Sequence, residues 1–279
     1  LLVLISGPSV LYLFLKKSNT SLCMSTSAAQ RPPEHLLLSE SPYDTPDPSR
    51  ALHDPEGLSA VGGALSSTRL IHLYQQGFFP WFSDPDPILW WHPRERCVLD
   101  PRQFHLSRSL QKVIKRGHWR FSINQAFSTV IGHCAGLRAE EEGTWISSDI
   151  IQAYTELHRL GYAHSIEIWH NSTPYAANAT DTLVGGFYGI AMGQMFFGES
   201  MFSLMPNASK IALKVFCDLA SQCNIQLIDC QVESEHLLSL GAELRPREAF
   251  CQQLKQHITT PHTNQTLIQL GQATDKQAV

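Results

Sequence analysis

GESMFS at residues 198–203 and LIDCQ at residues 227–231 are the two stretches that decide the character of the fold. Both set polar residues in apolar runs that are typical of buried strands. In a strand, Asp229 and Gln231 share one face and Cys230 points to the other. An unpaired carboxylate at Glu199 would cost several kcal/mol of folding free energy. The two stretches therefore predict either a satisfied polar contact in a β-rich core or a site where the three polar groups meet.

The segments around these stretches alternate between helical and strand patterns. Apolar stripes at helical spacing predict helices over residues 68–76, 107–116, 124–134 and 148–160. Residues 164–169 and 183–197 predict two strands of an antiparallel hairpin, the second one bent by Gly189 and Gly193. Asn207 then begins a helix that leads into a strand over residues 225–232. A hairpin followed by strand, helix and strand predicts an α/β (α+β) fold.

The composition narrows the class of protein. The 279 residues are 43% hydrophobic, which is enough for one large domain or two small ones. A net charge of −4 gives no global signal of nucleic-acid binding, so any RNA contact has to come from a local basic patch. The seven cysteines form no C-x-x-C pair and no ligand pattern with the histidines. They are interpreted as reduced thiols of a cytoplasmic protein, and no metal site is predicted.

The two ends of the chain lack the patterns of a packed domain. An apolar run of about 15 residues opens the chain, is broken at residues 6–9 and is followed by Lys16 and Lys17. It is too short to span a membrane comfortably and lacks the order of a secretory signal. Met24 then opens a polar stretch, so a chain starting there is expected to fold and work. Residues 1–54 are predicted to be a mostly disordered or irregular leader, and residues 259–279 a polar tail.

A local basic patch is present on the helix predicted over residues 107–116. Helical spacing places its cations close to one face, where they suit contacts with phosphates. A merely solvated helix face is the alternative. The four residues are Arg108, Lys112, Lys115 and Arg116.

Several further motifs occur in an ordered set between Pro55 and Phe250. They read YQQGFFPWF at 74–82, DPILWW at 86–91, EGTWI at 142–146, HSIE at 164–167, LVGG at 183–186 and NASK at 207–210. Together with GESMFS and LIDCQ, in this order and at this spacing, they resemble the leucyl/phenylalanyl-tRNA–protein transferase family. The resemblance implies a small N-terminal domain over residues 55–93. It also implies an N-acetyltransferase-like (GNAT-related) catalytic domain over residues 94–258.

The resemblance also implies an activity. The family moves Leu or Phe, and Met less readily, from aminoacyl-tRNA to the α-amine of proteins with N-terminal Arg or Lys, which marks them for N-end-rule degradation. No cofactor is implied, because the conversion of an ester into an amide already has a favourable free energy. The expected partners are charged tRNA and the acceptor protein, with no membrane, and the protein is expected to be a cytoplasmic monomer.

The resemblance assigns roles to individual residues. Gln231 would accept a hydrogen bond from the attacking amine, Asp229 would polarise or orient Gln231, and Glu199 would hold an ammonium group. Trp81 and Trp145 would lie against the terminal adenosine, where stacking contributes roughly 1–3 kcal/mol per base. Packing between the two domains is the alternative role of both. The apolar slot for the donor side chain would be lined by Phe187, Phe196, Leu213, Phe216 and Ile228. Ordinary core packing is the alternative role of these residues. The basic helix would contact the tRNA.

Two other classes of function are alternatives to an aminoacyl transferase. A CoA-dependent N-acyltransferase would share the fold, but it needs a glycine-rich phosphate loop opening a helix, and neither Gly185-Gly186 nor the 189–193 segment provides one. A non-catalytic RNA or protein adaptor would use the basic helix and the tryptophans without chemistry. The polar set of Glu199, Asp229 and Gln231 favours an enzyme over the adaptor.

Overall fold

The structure is a computed structural model that describes residues 33–83, 85–139, 145–171, 181–258, 265–272 and 276–279. The apolar run at the start of the chain and Met24 lie outside the described residues. Within the described part of the predicted leader, two 3₁₀ turns occur at Glu34–Leu36 and Pro48–Arg50. None of the helices in the described part of the chain combines the length and the apolar character that spanning a membrane requires.

A small antiparallel sheet and one helix follow this segment. The sheet consists of β1 (Leu58–Val61), β2 (Phe79–Pro80) and β3 (Leu89–Trp91), with β3 in the middle. Helix α1 (Ser67–Gln75) begins where the Ser66 hydroxyl accepts a hydrogen bond from the Arg69 N–H. It ends just before Gly77, whose φ of +85° suits glycine.

The rest of the described chain is built around one large sheet. Its eight strands lie in the order β10-β4-β9-β8-β7-β6-β5-β11, and only β8 and β9 pair in parallel. These strands are β4 (Glu95–Leu99), β5 (Trp119–Ile123), β6 (Ala163–His170), β7 (Thr182–Met192), β8 (Met195–Ser203), β9 (Leu227–Gln231), β10 (Glu243–Pro246) and β11 (Gln277–Ala278). The predicted α/β class, with a small N-terminal domain ahead of a mixed-sheet C-terminal domain, is confirmed.

Helices cover both faces of the large sheet. They are α2 (Arg108–Arg116), α3 (Phe127–Ala139), α4 (Ser148–Arg159), α5 (Ala208–Leu219), α6 (Glu235–Ser239), α7 (Arg247–His257) and α8 (Gln265–Gly271). Phe187 and Tyr188 are neighbours on β7 and so point to opposite faces. The Phe187 ring contacts Phe216 on α5, whereas the Tyr188 ring contacts Phe127 on α3 and Tyr154 on α4. Helix α5 therefore covers one face, and α3 and α4 cover the other.

Some sequence-based boundaries were wrong. Residues 183–197 are not one bent strand, because Gly193, with φ +56°, lies in the turn that separates β7 from β8. A Cβ at Gly193 would lie 2.4 Å from the His257 carbonyl oxygen, so no larger residue fits there unchanged. The helix predicted from residue 124 begins only at Phe127, since Asn124 has a φ of 59° and its amide bonds His164 and the Ser165 N–H. The other predicted helices start within about one residue of their observed positions.

The described part of the polar tail is ordered against the sheet. Strand β11 pairs with the edge strand β5, at Gln277 with Phe121 and at Ala278 with Arg120. The Lys276 ammonium lies 3.8 Å from the centre of the Trp169 ring. The tail thus covers an edge that would otherwise present unpaired backbone groups.

We expect two buried histidines to make the fold sensitive to mild acid. Burial lowers the pKa of His92 and of His164 from 6.5 to about 3. Below pH 6.5 the unfolded chain takes up protons at these rings while the folded chain does not, so stability is full above that pH and is lost as the pH falls toward 3. Between pH 5 and 6 each histidine contributes a slope of up to about 1.4 kcal/mol per pH unit.

Urea unfolding at pH 5 and pH 6 measures this slope. His164→Gln should reduce it by up to about 1.4 kcal/mol per pH unit, whereas His35→Gln, at an exposed position, should leave it unchanged. An equal slope in the parent and in His164→Gln would contradict the assignment of the slope to the buried ring.

Candidate active site

Strands β8 and β9 part at the place where the predicted polar residues lie. Their last parallel pair joins Phe197 and Asp229. Beside it, the register of β8 against β7 shifts between Gly198 and Ser200, which leaves Glu199 as the extra residue of a bulge. The register of β9 against β4 shifts in the same way at Cys230. Bulges redirect side chains and are frequent beside active sites.

Glu199 is the centre of a buried hydrogen-bond cluster. The Tyr74 hydroxyl donates to Glu199 Oε1 at 2.7 Å, and the Tyr154 hydroxyl donates to Oε2 at 3.1 Å. The two hydroxyl oxygens are 2.5 Å apart. Burial raises the pKa of the Glu199 carboxyl, and it raises the pKa of both tyrosines well above the ordinary value. The cluster therefore holds a carboxyl group that a cationic ligand would stabilise in its ionised form.

Asp229 forms a buried ion pair that the sequence analysis did not predict. Arg96 Nε and Nη2 donate to the two carboxylate oxygens of Asp229, both at 2.7 Å, and both residues are fully buried. The guanidinium carbon lies 4.7 Å from the centre of the Phe79 ring and 4.6 Å from that of Phe250. The pair thus links the small N-terminal sheet to β4, β9 and α7.

Gln231 connects the carboxyl groups of Asp229 and Glu199. Its backbone N–H donates to Asp229 Oδ1 at 2.9 Å, and its side-chain Nε2 donates to Glu199 Oε1 at 3.0 Å. Its φ of 66° is uncommon for a residue with a side chain and stores backbone strain of the kind found at functional sites. Asp229 therefore orients the main chain of Gln231, whereas Glu199 orients its amide.

The five residues predicted for the donor slot lie in a closed apolar cluster. The rings of Phe187, Phe196 and Phe216 are in mutual contact, with centroids 4.3 to 5.8 Å apart. Ile228 pairs with Phe196 across β9 and β8, and Leu213 lies one helical turn before Phe216. All five are fully buried.

This cluster and Glu199 lie on opposite faces of the sheet. Phe196 faces α5, while the next residue, Phe197, contacts the Tyr74 ring at 5.2 Å between centroids. Glu199 bonds that same tyrosine.

The two predicted adenosine-binding tryptophans differ in exposure. Trp81 is half-buried beside Trp91, whose indole N–H donates to the Trp81 carbonyl oxygen at 2.6 Å. Trp145 is buried, and its indole Nε1 has no hydrogen-bond partner among the described atoms. A buried donor without a partner costs folding free energy.

The basic residues of α2 form an exposed face. Arg108, Lys112, Lys115 and Arg116 are all exposed, while Leu110 is buried beneath them. None of the four makes an ion pair with a described carboxylate. Arg120 differs, because it pairs with Asp181 at 3.3 Å.

Sequence reasoning missed Arg96, Tyr74 and Tyr154 as parts of the site. Tyr74 opens the YQQGFFPWF motif and Tyr154 belongs to the apolar stripe of α4, so both resemble core residues. Arg96 precedes the apolar residues Cys97 to Leu99, and an arginine in such a strand is the one signal available for a buried partner.

Comparisons with known proteins bear on the family. The model of the leucyl/phenylalanyl-tRNA protein transferase family matches residues 98–255, and the model of its N-terminal domain matches residues 63–94. A leucyl/phenylalanyl-tRNA–protein transferase of Idiomarina loihiensis is 52% identical over 209 residues, which are 75% of this chain and 85% of the relative. The corresponding protein of Azotobacter vinelandii is 47% identical over 218 residues, 78% and 92% of the two chains.

A crystal structure of FemX is also similar, with 12% identity, a TM-score of 0.41 and coverage of 55% of this chain and 60% of that one. The family models together span most of the part of the chain that carries the quoted motifs, and the relatives match at about half identity over most of their own length. The resemblance stated from the motifs is therefore confirmed, and the chain belongs to the leucyl/phenylalanyl-tRNA–protein transferase family.

Proposed function

We propose that the protein moves Leu or Phe, and Met less readily, from aminoacyl-tRNA to the α-amine of proteins that begin with Arg or Lys. The transfer marks those proteins for N-end-rule degradation, and the enzyme works as a cytoplasmic monomer without a cofactor. The observation that carries the proposal is the buried Glu199 carboxyl, held by Tyr74, Tyr154 and Gln231 where two strands part.

The reaction is aminolysis of an ester. The acceptor's α-amine forms a bond to the ester carbonyl carbon, the bond to the tRNA ribose oxygen breaks, and the proton lost by the amine goes to the leaving oxygen or to water. Catalysis then requires orientation of the two substrates and a deprotonated amine. We assign Gln231 to the attacking amine and Glu199 to an ammonium group of a substrate, while Asp229 fixes the backbone of Gln231.

The donor reaches both faces of the sheet through the gap between β8 and β9. In this arrangement its ammonium group meets Glu199 on one face, and its side chain meets the cluster of Phe187, Phe196 and Phe216 on the other. The closed cluster admits the side chain by rotation of one of its rings. An apolar slot discriminates by only about 1–3 kcal/mol per methylene, so we expect it to accept several apolar donors.

The tRNA lies along α2, with its terminal adenosine against Trp81 and Trp145.

We expect the double variant Lys115→Ala/Arg116→Ala to bind all charged tRNAs more weakly, because both exposed cations neutralise phosphates. The slope of log affinity against log salt should fall by about one unit per lost contact. Filter binding at several salt concentrations measures both the affinity and this slope. The control is the double variant Arg50→Ala/Lys255→Ala, which removes two exposed cations outside α2. Equal salt slopes in this control and in Lys115→Ala/Arg116→Ala would contradict the assignment.

The activity itself is tested with purified protein, tRNA charged with labelled Leu and a peptide that begins with Arg. The label should pass to the peptide, and it should not pass to the same peptide with an acetylated N-terminus. Absence of transfer to the free peptide, from both Leu-tRNA and Phe-tRNA, would refute the proposal.

A further inference from the structure

A cavity of about 450 Å³ lies where β9 ends, between the small N-terminal sheet and the large one. Its lining includes the aromatic residues Phe79, Trp81 and Trp91 from the small sheet, and Val232 and Glu233 from the chain that follows Gln231. The volume is in the range of small-ligand sites. The cavity is therefore lined by the residues that directly follow Gln231 in the chain and by three aromatic side chains.

Carboxylates also belong to the lining of the cavity. Glu95 and Glu233 line it, are exposed, and have no hydrogen bond or ion pair among the described residues. Glu56 also lines it but accepts from the Arg94 N–H at 2.8 Å, and the Arg94 guanidinium bonds the His53 ring at 2.6 Å. The lining of the cavity thus contains aromatic side chains, two unengaged carboxylates and one cation, the Arg94 guanidinium, which is bonded to His53.

This combination selects for a cation. An aromatic face attracts a guanidinium or ammonium group, and a carboxylate adds a charge-assisted hydrogen bond. A phosphate would instead meet two like charges at close range. The carboxylates of the cavity therefore disfavour a phosphate and favour a basic side chain. Trp81, at the same cavity, keeps its proposed contact with the adenine base, which carries no charge.

The position of the cavity indicates which basic side chain it binds. In the proposed function Gln231 holds the attacking amine, and the cavity begins at the next residue, Val232. The side chain on the carbon that bears the amine is the group closest to it. We propose, on the basis of that function, that the cavity binds the first side chain of the acceptor protein, with Glu95 and Glu233 as counter-charges and Trp91 as the aromatic wall. The two carboxylates would thereby set the requirement for Arg or Lys.

The test compares peptides that begin with Arg and with citrulline, which has the same shape and no charge. We expect the parent to prefer Arg, and the double variant Glu95→Gln/Glu233→Gln to raise the KM for the Arg peptide about tenfold or more with kcat unchanged. The ratio of kcat/KM between the two peptides should fall toward one. The double variant Glu34→Gln/Glu40→Gln removes two exposed carboxylates that do not line the cavity and should keep the parent ratio.

Calorimetric binding of the two peptides to the same three proteins makes the test independent of transfer. Tighter binding of the Arg peptide by the parent, lost in the cavity variant and kept in the control, supports the proposal. Binding preferences that are equal in the parent and the cavity variant would overturn it, even where the parent transfers Leu normally. Failure of transfer together with a carboxylate-dependent Arg preference would instead refute the proposed function and leave the binding site standing.

Discussion

Gln231→Ala is expected to lower the rate of transfer at saturating tRNA and peptide by about a hundredfold or more, the usual range for loss of a group that positions or deprotonates a nucleophile. Glu199→Gln should lower it similarly, because the neutral amide supplies no counter-charge for an ammonium group. Tyr154→Phe should have a smaller effect, since Tyr74 still donates to Glu199. Single-turnover rates with pre-charged tRNA measure all three.

The control for this series is Gln252→Ala, the same truncation at an exposed position of α7. Its rate should equal that of the parent, and the thermal midpoints should confirm that all the variants are folded. Parent rates in folded Gln231→Ala and Glu199→Gln would show that the chemistry takes place elsewhere.

Asp229→Ala is expected to cost about 3–5 kcal/mol of unfolding free energy, because it leaves the fully buried Arg96 guanidinium without a counter-charge. Urea unfolding measures the loss. The double variant Arg96→Met/Asp229→Leu replaces the pair by apolar groups and should recover most of the lost stability. An unfolding free energy of Asp229→Ala within about 1 kcal/mol of the parent would contradict this account.

This prediction changes how activity in Asp229 variants is interpreted. The role that the resemblance gives to Asp229 predicts that Asp229→Ala reduces transfer and leaves tRNA binding largely intact. Because Asp229 anchors both Arg96 and the Gln231 backbone, a loss of transfer in that variant combines chemistry with a disturbed strand. Rates of Asp229 variants are therefore meaningful only beside their unfolding curves.

The pattern of residues was sufficient to predict the local structure of the site. Alternation in LIDCQ correctly placed Asp229 and Gln231 in one strand, and the apolar context of Glu199 correctly indicated that its carboxyl needs partners. The motifs then identified the family, because an ordered set of eight is specific where one motif is not.

The partners could not be predicted, because they come from distant parts of the chain. Arg96 and Asp229 are 133 residues apart, and Tyr74 and Glu199 are 125 apart. The bulge at Glu199 and the turn at Gly193 also escaped prediction, since each depends on the register of neighbouring strands. For the same reason, the placement of the aromatic cluster and Glu199 on opposite faces of the sheet could not be predicted.

The central claim is that the aminoacyl end of tRNA binds where β8 and β9 part, and a structure with phenylalanyl-adenosine joined by a non-hydrolysable amide tests it most directly. The account predicts the ligand's ammonium group within hydrogen-bonding distance of Glu199, its phenyl ring against Phe216, and its adenine against Trp81 or Trp145. A ligand bound away from Glu199, with the cluster of Phe187, Phe196 and Phe216 still closed, would contradict it.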